Sequence, residues 1–120
     1  MRLLLVDDDD AQIHWLEKQF LSVDNHDVFS CYNAKEALET YKAAGPESFD
    51  AVITDFQMPG MTGLELIEEI RKIRPDQHVI LQTSETKRLV ASSIPQLHKP
   101  YPIRLLLRAL RLPVQPLLPL

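Results

Sequence analysis

An open α/β sheet of five parallel strands, with helices on both faces, is the architecture the sequence predicts. Two observations carry that expectation. Short apolar runs, led by Leu3-Leu4-Leu5-Val6, are continuous, as strands buried on both faces of a parallel sheet must be. Between these runs lie segments whose apolar residues recur every three or four positions, so strand and helix alternate along the chain.

The elements follow in order. After the first run, Asp10 is placed to cap a helix with Ile13, Leu16 and Phe20 on one face. Trp15 on that helix reads as a packing residue. Residues 28–31 make a weaker second strand ending at Cys31, expected as a small buried hydrophobe. Asn33 caps a helix over 34–44, with Ala34, Ala37, Leu38 and Tyr41 on one side, and Gly45-Pro46 closes it. The third strand, 51–54, runs into Asp55.

Thr62 then caps a helix over 63–73, with Glu65 positioned to complete a capping box. Leu66, Ile70 and Ile73 form its apolar stripe, and Pro75 stops it. Residues 79–81 are the fourth strand, leading into Gln82-Thr83-Ser84. A short helix over 86–92 is broken by Pro95, and 96–98 make a brief fifth strand. Pro102 opens a last helix with Ile103, Leu106, Leu107 and Leu110 on one side, while Arg104, Arg108 and Arg111 give it a basic outer face. The folded domain is expected to span 1–112. Residues 113–120 form a Pro/Leu-rich tail, with Pro113, Pro116 and Pro119 spaced as along one face of a polyproline II helix.

A chain of 120 residues suits one domain with one sizeable core. Its formal net charge of -4 argues against a direct nucleic-acid partner, since duplex binding depends on clustered basic charge. The single cysteine excludes an internal disulfide and fits a reducing compartment. No apolar run approaches the ~20 residues that span a bilayer. A cytoplasmic location with no membrane partner is therefore expected. The four histidines show no metal-ligand spacing.

In open α/β sheets, ligands bind outside the carboxyl ends of the strands. Those ends carry Asp7-Asp8, Asp55, Thr83 and Lys99. Taken alone, Asp55 is the kind of strand-end acid that often forms a cap or turn. Three carboxylates at one edge, however, repel one another unless a cation lies among them. Hard oxygen donors select Mg²⁺, Ca²⁺ or Mn²⁺, and Mg²⁺ commonly takes one or two carboxylates and recruits phosphate oxygen. A carboxylate can also act as the nucleophile that forms an aspartyl phosphate, with a metal and a lysine neutralising charge.

Four stretches in order, "LLLVDDDD", "VITDFQMPGMTGLEL", "VILQTSE" and "LHKPY", resemble the motifs of the response-regulator receiver domain of two-component signalling. The resemblance runs from Met1 to about Leu112 and implies a flavodoxin-like fold. It implies that Asp55 accepts a phosphoryl group from a sensor histidine kinase or phosphotransfer protein. It implies Mg²⁺ held by Asp8, Asp55 and the backbone carbonyl of Gln57, with Asp7 acting through a metal-bound water. Thr83 and Lys99 would contact phosphoryl oxygens, and the Lys99–Pro100 peptide bond would be cis.

The sequence departs from the family in two places. Only fifteen residues separate Thr83 from Lys99, which shortens the fourth predicted helix to about two turns. Gln96 stands where the family usually has an aromatic switch residue. Both departures fall on the face such domains use to signal or dimerise. An altered output face is therefore expected, with the downstream protein partner unnamed and a homodimer left open. Two other functions compete. A Mg²⁺-dependent phosphohydrolase is disfavoured because Gln57 takes the second acid position of an Asp-x-Asp motif. A phosphorylation-independent docking module would retain the fold without the chemistry.

Overall fold

A computed structural model of the chain describes residues 1–22, 26–84 and 94–111. Its elements are β1 (Arg2–Val6), α1 (Asp10–Leu21), β2 (Asp27–Cys31), α2 (Ala34–Ala44), β3 (Ala51–Asp55), α3 (Gly63–Ile73), β4 (His78–Thr83), β5 (Gln96–His98) and α4 (Ile103–Arg111). The strands form one five-stranded sheet in the order β2-β1-β3-β4-β5, with every pair parallel. This is the flavodoxin-like order, and its direction reverses between β1 and β3.

The continuous apolar runs are explained by burial on both faces. Leu3 and Leu5 pack with Ile13, Leu16 and Phe20 of α1 and with Leu106 and Leu110 of α4. Leu4 and Val6 point the other way, into a layer with Ala37 and Tyr41 of α2 and Leu66, Ile67 and Ile70 of α3. One strand thus serves two cores because successive side chains alternate across the sheet. Each fully buried leucine or isoleucine contributes about 1.5–3 kcal/mol. Cys31 is buried as expected, its thiol on the Thr40 hydroxyl oxygen at 3.6 Å.

Several boundaries differ from the sequence reading. The N-cap of α1 is Asp9, whose carboxylate accepts from the Ala11 amide at 2.9 Å, and Asp10 is the first helical residue. The cause lies one residue earlier: the Asp9 amide donates to Asp7 Oδ1, which sets the turn before the helix. In α3 the buried stripe is Leu66, Ile67 and Ile70, while Ile73 in the last turn is 37% exposed. The last helix begins at Ile103, with Leu106, Ala109 and Leu110 buried and Ile103 and Leu107 packed at the margin. β3 extends to include Asp55, and β4 spans His78–Thr83. The expected caps at Asn33 and Thr62 are present, the latter with its full capping box. The Lys99–Pro100 bond is cis. The short helix predicted over 86–92 and the tail at 113–120 lie outside the described residues. Among the described residues, no helix is long and apolar enough to cross a membrane.

Candidate functional site

Parallel strands β1 and β3 deliver their following residues to the same sheet edge, at the point where the topology reverses. Asp7 directly follows β1 and is fully buried; Asp55 closes β3 at 7% exposure. Asp8, next to Asp7, is exposed. Each of these three carboxylates offers an oxygen within 4.8 Å of the others. Lys99 is fixed across the sheet because its amide donates to the Thr83 carbonyl at 2.7 Å. Its Nζ lies 3.1 Å from Asp7 Oδ2 and 3.2 Å from Asp55 Oδ1. Thr83, buried at the end of β4, occupies the neighbouring strand end. Gln57 is exposed and lines an open cleft of about 480 Å³ with Asp8, Phe56, Met58, Pro59 and Thr62. The site residues predicted from sequence therefore share one edge. None of them lines the larger hollow between α1 and β2.

The backbone behind Asp55 is tightly packed. Gly63 opens α3 directly against the strand end, and its amide donates to the Phe56 carbonyl at 2.8 Å. A Cβ at Gly63 would overlap the Asp55 carbonyl oxygen and sit 2.9 Å from the carbonyl carbon. Gly60 serves a different purpose, turning the loop at φ +81 with open space around it. Gly63→Ala is therefore expected to lower stability by about 3 kcal/mol, because backbone must move. Gly60→Ala is expected to cost only about 1–2 kcal/mol of left-handed strain. Urea unfolding of the two variants checks this, and equal losses would contradict it.

Among the described residues one cation, Lys99, faces the three acids, and the ionisation of the site reflects that imbalance. Burial raises the Asp55 carboxyl to about 6, the Asp7 charge adds to the rise, and Lys99 opposes it. Burial also raises Asp7, against the Asp9 amide and Lys99, which favour its charged form. Burial works against the charge on Lys99, but Asp7 and Asp55 outweigh it and hold the amine above its ordinary range. An uncompensated cluster of hard oxygens suits a divalent cation such as Mg²⁺. The donor set fits unevenly. Both oxygens of Asp7 already accept protein hydrogen bonds, from the Asp9 amide on one side and Gln82 and Lys99 on the other. Asp8 and Asp55 are the more available acids.

Sequence reasoning missed the layer beneath the acids. Gln82 is fully buried and donates from Nε2 to Asp7 Oδ2 at 3.0 Å. Its Oε1 accepts from the Tyr101 hydroxyl at 2.6 Å and from Gln12 Nε2 at 3.1 Å. The available signal was an amide at the end of the apolar run "VIL", where a strand buried on both faces has no use for one.

Comparison with known proteins agrees with this geometry. The family model described as response regulator receiver domain matches residues 3–111. A two-component response regulator of Arabidopsis thaliana is 36% identical over 83 residues, covering 69% of this chain and 21% of that protein. This chain thus spans about a fifth of that relative's length. A response regulator receiver domain protein from Clostridium thermocellum superposes with a TM-score of 0.76 at 28% identity, over 91% of this chain and 90% of the other. A chain from the crystal structure of the histidine kinase ThkA in complex with the response regulator TrrA gives 0.72 at 30% identity, over 92% and 98%.

Proposed function

Because the chain belongs to the response regulator receiver domain family of two-component signalling, we propose that Asp55 is its phosphoacceptor, supplied by a sensor histidine kinase or a phosphotransfer protein. The observation that carries this reading is the Lys99 amine lying between Asp55 and Asp7 at 3.2 and 3.1 Å, beside the open carboxylate of Asp8. An Asp55 oxygen attacks the phosphorus of a phosphohistidine. The new P–O bond forms as the P–N bond breaks, and the donor's nitrogen leaves with the bonding pair and takes up a proton. With its carboxyl near 6, Asp55 is mostly ionised at neutral pH, as a nucleophile must be.

Lys99 then exchanges its contact with the Asp55 carboxylate for a phosphoryl oxygen, and the Thr83 hydroxyl donates to another. Asp8, Asp55 and the Gln57 carbonyl would hold Mg²⁺, with Asp7 acting through water. Bound there, Mg²⁺ supplies the charge neutralisation that phosphoryl transfer requires. Water attack on the same phosphorus would return Asp55 and release phosphate, so the domain signals rather than turns over a substrate.

The receiver unit is proposed to span 1–112 and to act in the cytoplasm. Its output face is proposed to be altered around Gln96. Incubation with acetyl phosphate tests the acceptor chemistry. Intact mass should show one added phosphoryl group that requires both Mg²⁺ and Asp55. An equal mass gain, or none, in wild type and Asp55→Asn under these conditions would remove the phosphoacceptor reading and favour a docking module.

A further inference from the structure

A buried amide in a strand is costly unless every polar atom finds a partner, whereas an aliphatic side chain there would cost nothing. Gln82 meets that demand fully. It donates to Asp7 and accepts from Tyr101 and Gln12, joining β4, α1 and the segment before α4 in one hydrogen-bonded unit. The Tyr101 ring, 6% exposed, continues the contact by standing edge-on to Trp15 of α1, with centroids 5.6 Å apart at 84°. A contiguous set of groups therefore runs from the acid cluster through the sheet to the α1–α4 face: Asp7, Gln82, Tyr101, Trp15. Lys99 shares the Asp7 oxygen that Gln82 holds, at 3.1 Å against 3.0 Å. Any rearrangement of Lys99 changes what Gln82 sees.

We propose that Gln82 and Tyr101 are positioning residues that hold the Asp7 carboxylate and transmit the occupancy of the Asp55 site to Trp15 and the α1–α4 face. This inference rests on the phosphoacceptor reading for its trigger, but the physical route is independent of it. The relay acts by geometry. Asp7 keeps one orientation while Gln82 anchors it, and Gln82 keeps one orientation while the Tyr101 hydroxyl and Gln12 fix its oxygen. When Lys99 turns towards a phosphoryl oxygen, Asp7 loses one of two donors on the same oxygen. Gln82 and Tyr101 then settle into a new arrangement against Trp15.

Trp15 is the sole tryptophan, so its emission reports on the far end of the relay. The test follows that emission during titration with Mg²⁺ and then with Mg²⁺ plus beryllofluoride, in wild type, Tyr101→Phe, Gln82→Leu and the double variant. Tyr101→Phe keeps the ring against Trp15 and removes only the hydroxyl, so a urea unfolding curve with an unchanged slope establishes that it is folded. Wild type should change emission on each addition. Each single variant should cut the change per bound mimic severalfold and weaken Mg²⁺ binding roughly tenfold, as loss of an outer-shell partner does. The double variant should be no worse than either single one, because the two residues act as one unit.

An undiminished Trp15 response in both single variants would overturn the relay, as would a silent Trp15 in wild-type protein that binds the mimic. If acetyl phosphate adds no phosphoryl group to wild type while the Mg²⁺ response still depends on Tyr101, the phosphoacceptor reading fails and the relay stands.

Discussion

Lys99→Met is expected to cost the metal-free protein about 3–5 kcal/mol at neutral pH, the range for removing one partner from a buried ion pair. The size follows from what is left behind. Asp7 is fully buried and Asp55 nearly so, and among the described residues Lys99 is the cation within ion-pair distance of either. Methionine fills much of the same volume but leaves two carboxylates facing each other without the Lys99 counter-charge. Part of the loss is recovered by protonation of one acid, so the deficit should shrink as pH is lowered towards 5. Mg²⁺ should also recover part of it, since the acids that would hold the ion remain. Phosphoryl uptake should fall by at least about 10²-fold, typical of losing one charge-stabilising donor. Urea unfolding at pH 7.5 and 5, with and without Mg²⁺, checks the stability effect. A Lys99→Met protein as stable as wild type in the absence of Mg²⁺ would mean that the acids do not repel as their geometry requires.

Asp55→Asn is expected to act in the opposite direction. The Asp55 carboxyl is raised from 3.8 to about 6 in the folded state, so ionising it opposes folding. Between those two values the native state binds more protons than the unfolded chain, and stability from this group is lost as pH rises through 6. It is fully restored only below about 4. Removing the charge should therefore stabilise the metal-free protein at pH 7.5 by on the order of 3 kcal/mol, and by almost nothing near pH 4. The same substitution should abolish the stabilisation that Mg²⁺ gives wild type, about 2.7 kcal/mol at a hundred times its Kd. Thermal unfolding against pH, with and without Mg²⁺, separates these effects. A loss of stability in Asp55→Asn at pH 7.5 would contradict the assigned charge balance. The two substitutions thus differ in sign although their side chains touch, a pattern expected of a site whose charges are arranged for binding.

How much of this was legible in the sequence depended on whether local signals sufficed. The continuous runs at 3–6 and 79–81 announce strands buried on two faces, and Asn33 and Thr62 with Glu65 announce helix starts, because both patterns depend on near neighbours. The convergence of Asp7, Asp8, Asp55 and Lys99 was legible only because parallel strands place all their carboxyl ends on one edge. Asp9 as the true cap was not readable, since it depends on a hydrogen bond from its amide to the Asp7 side chain. Gln82 and Tyr101 were missed because their pairing joins strand β4 to the segment before α4 and needs the register of the folded sheet. Gly63 was legible as the first residue of a helix, but its need to lack a Cβ emerges only once α3 is packed against the end of β3.

The central claim is that Asp55 itself carries the phosphoryl group. The most direct test is reductive trapping. The protein is phosphorylated with acetyl phosphate and Mg²⁺, treated with borohydride to convert the acyl phosphate to an alcohol, and mapped by peptide mass spectrometry. The account predicts conversion of residue 55 to homoserine, with Asp7 and Asp8 unmodified. Conversion at another carboxylate, or a phosphoryl adduct that borohydride does not convert, would contradict it.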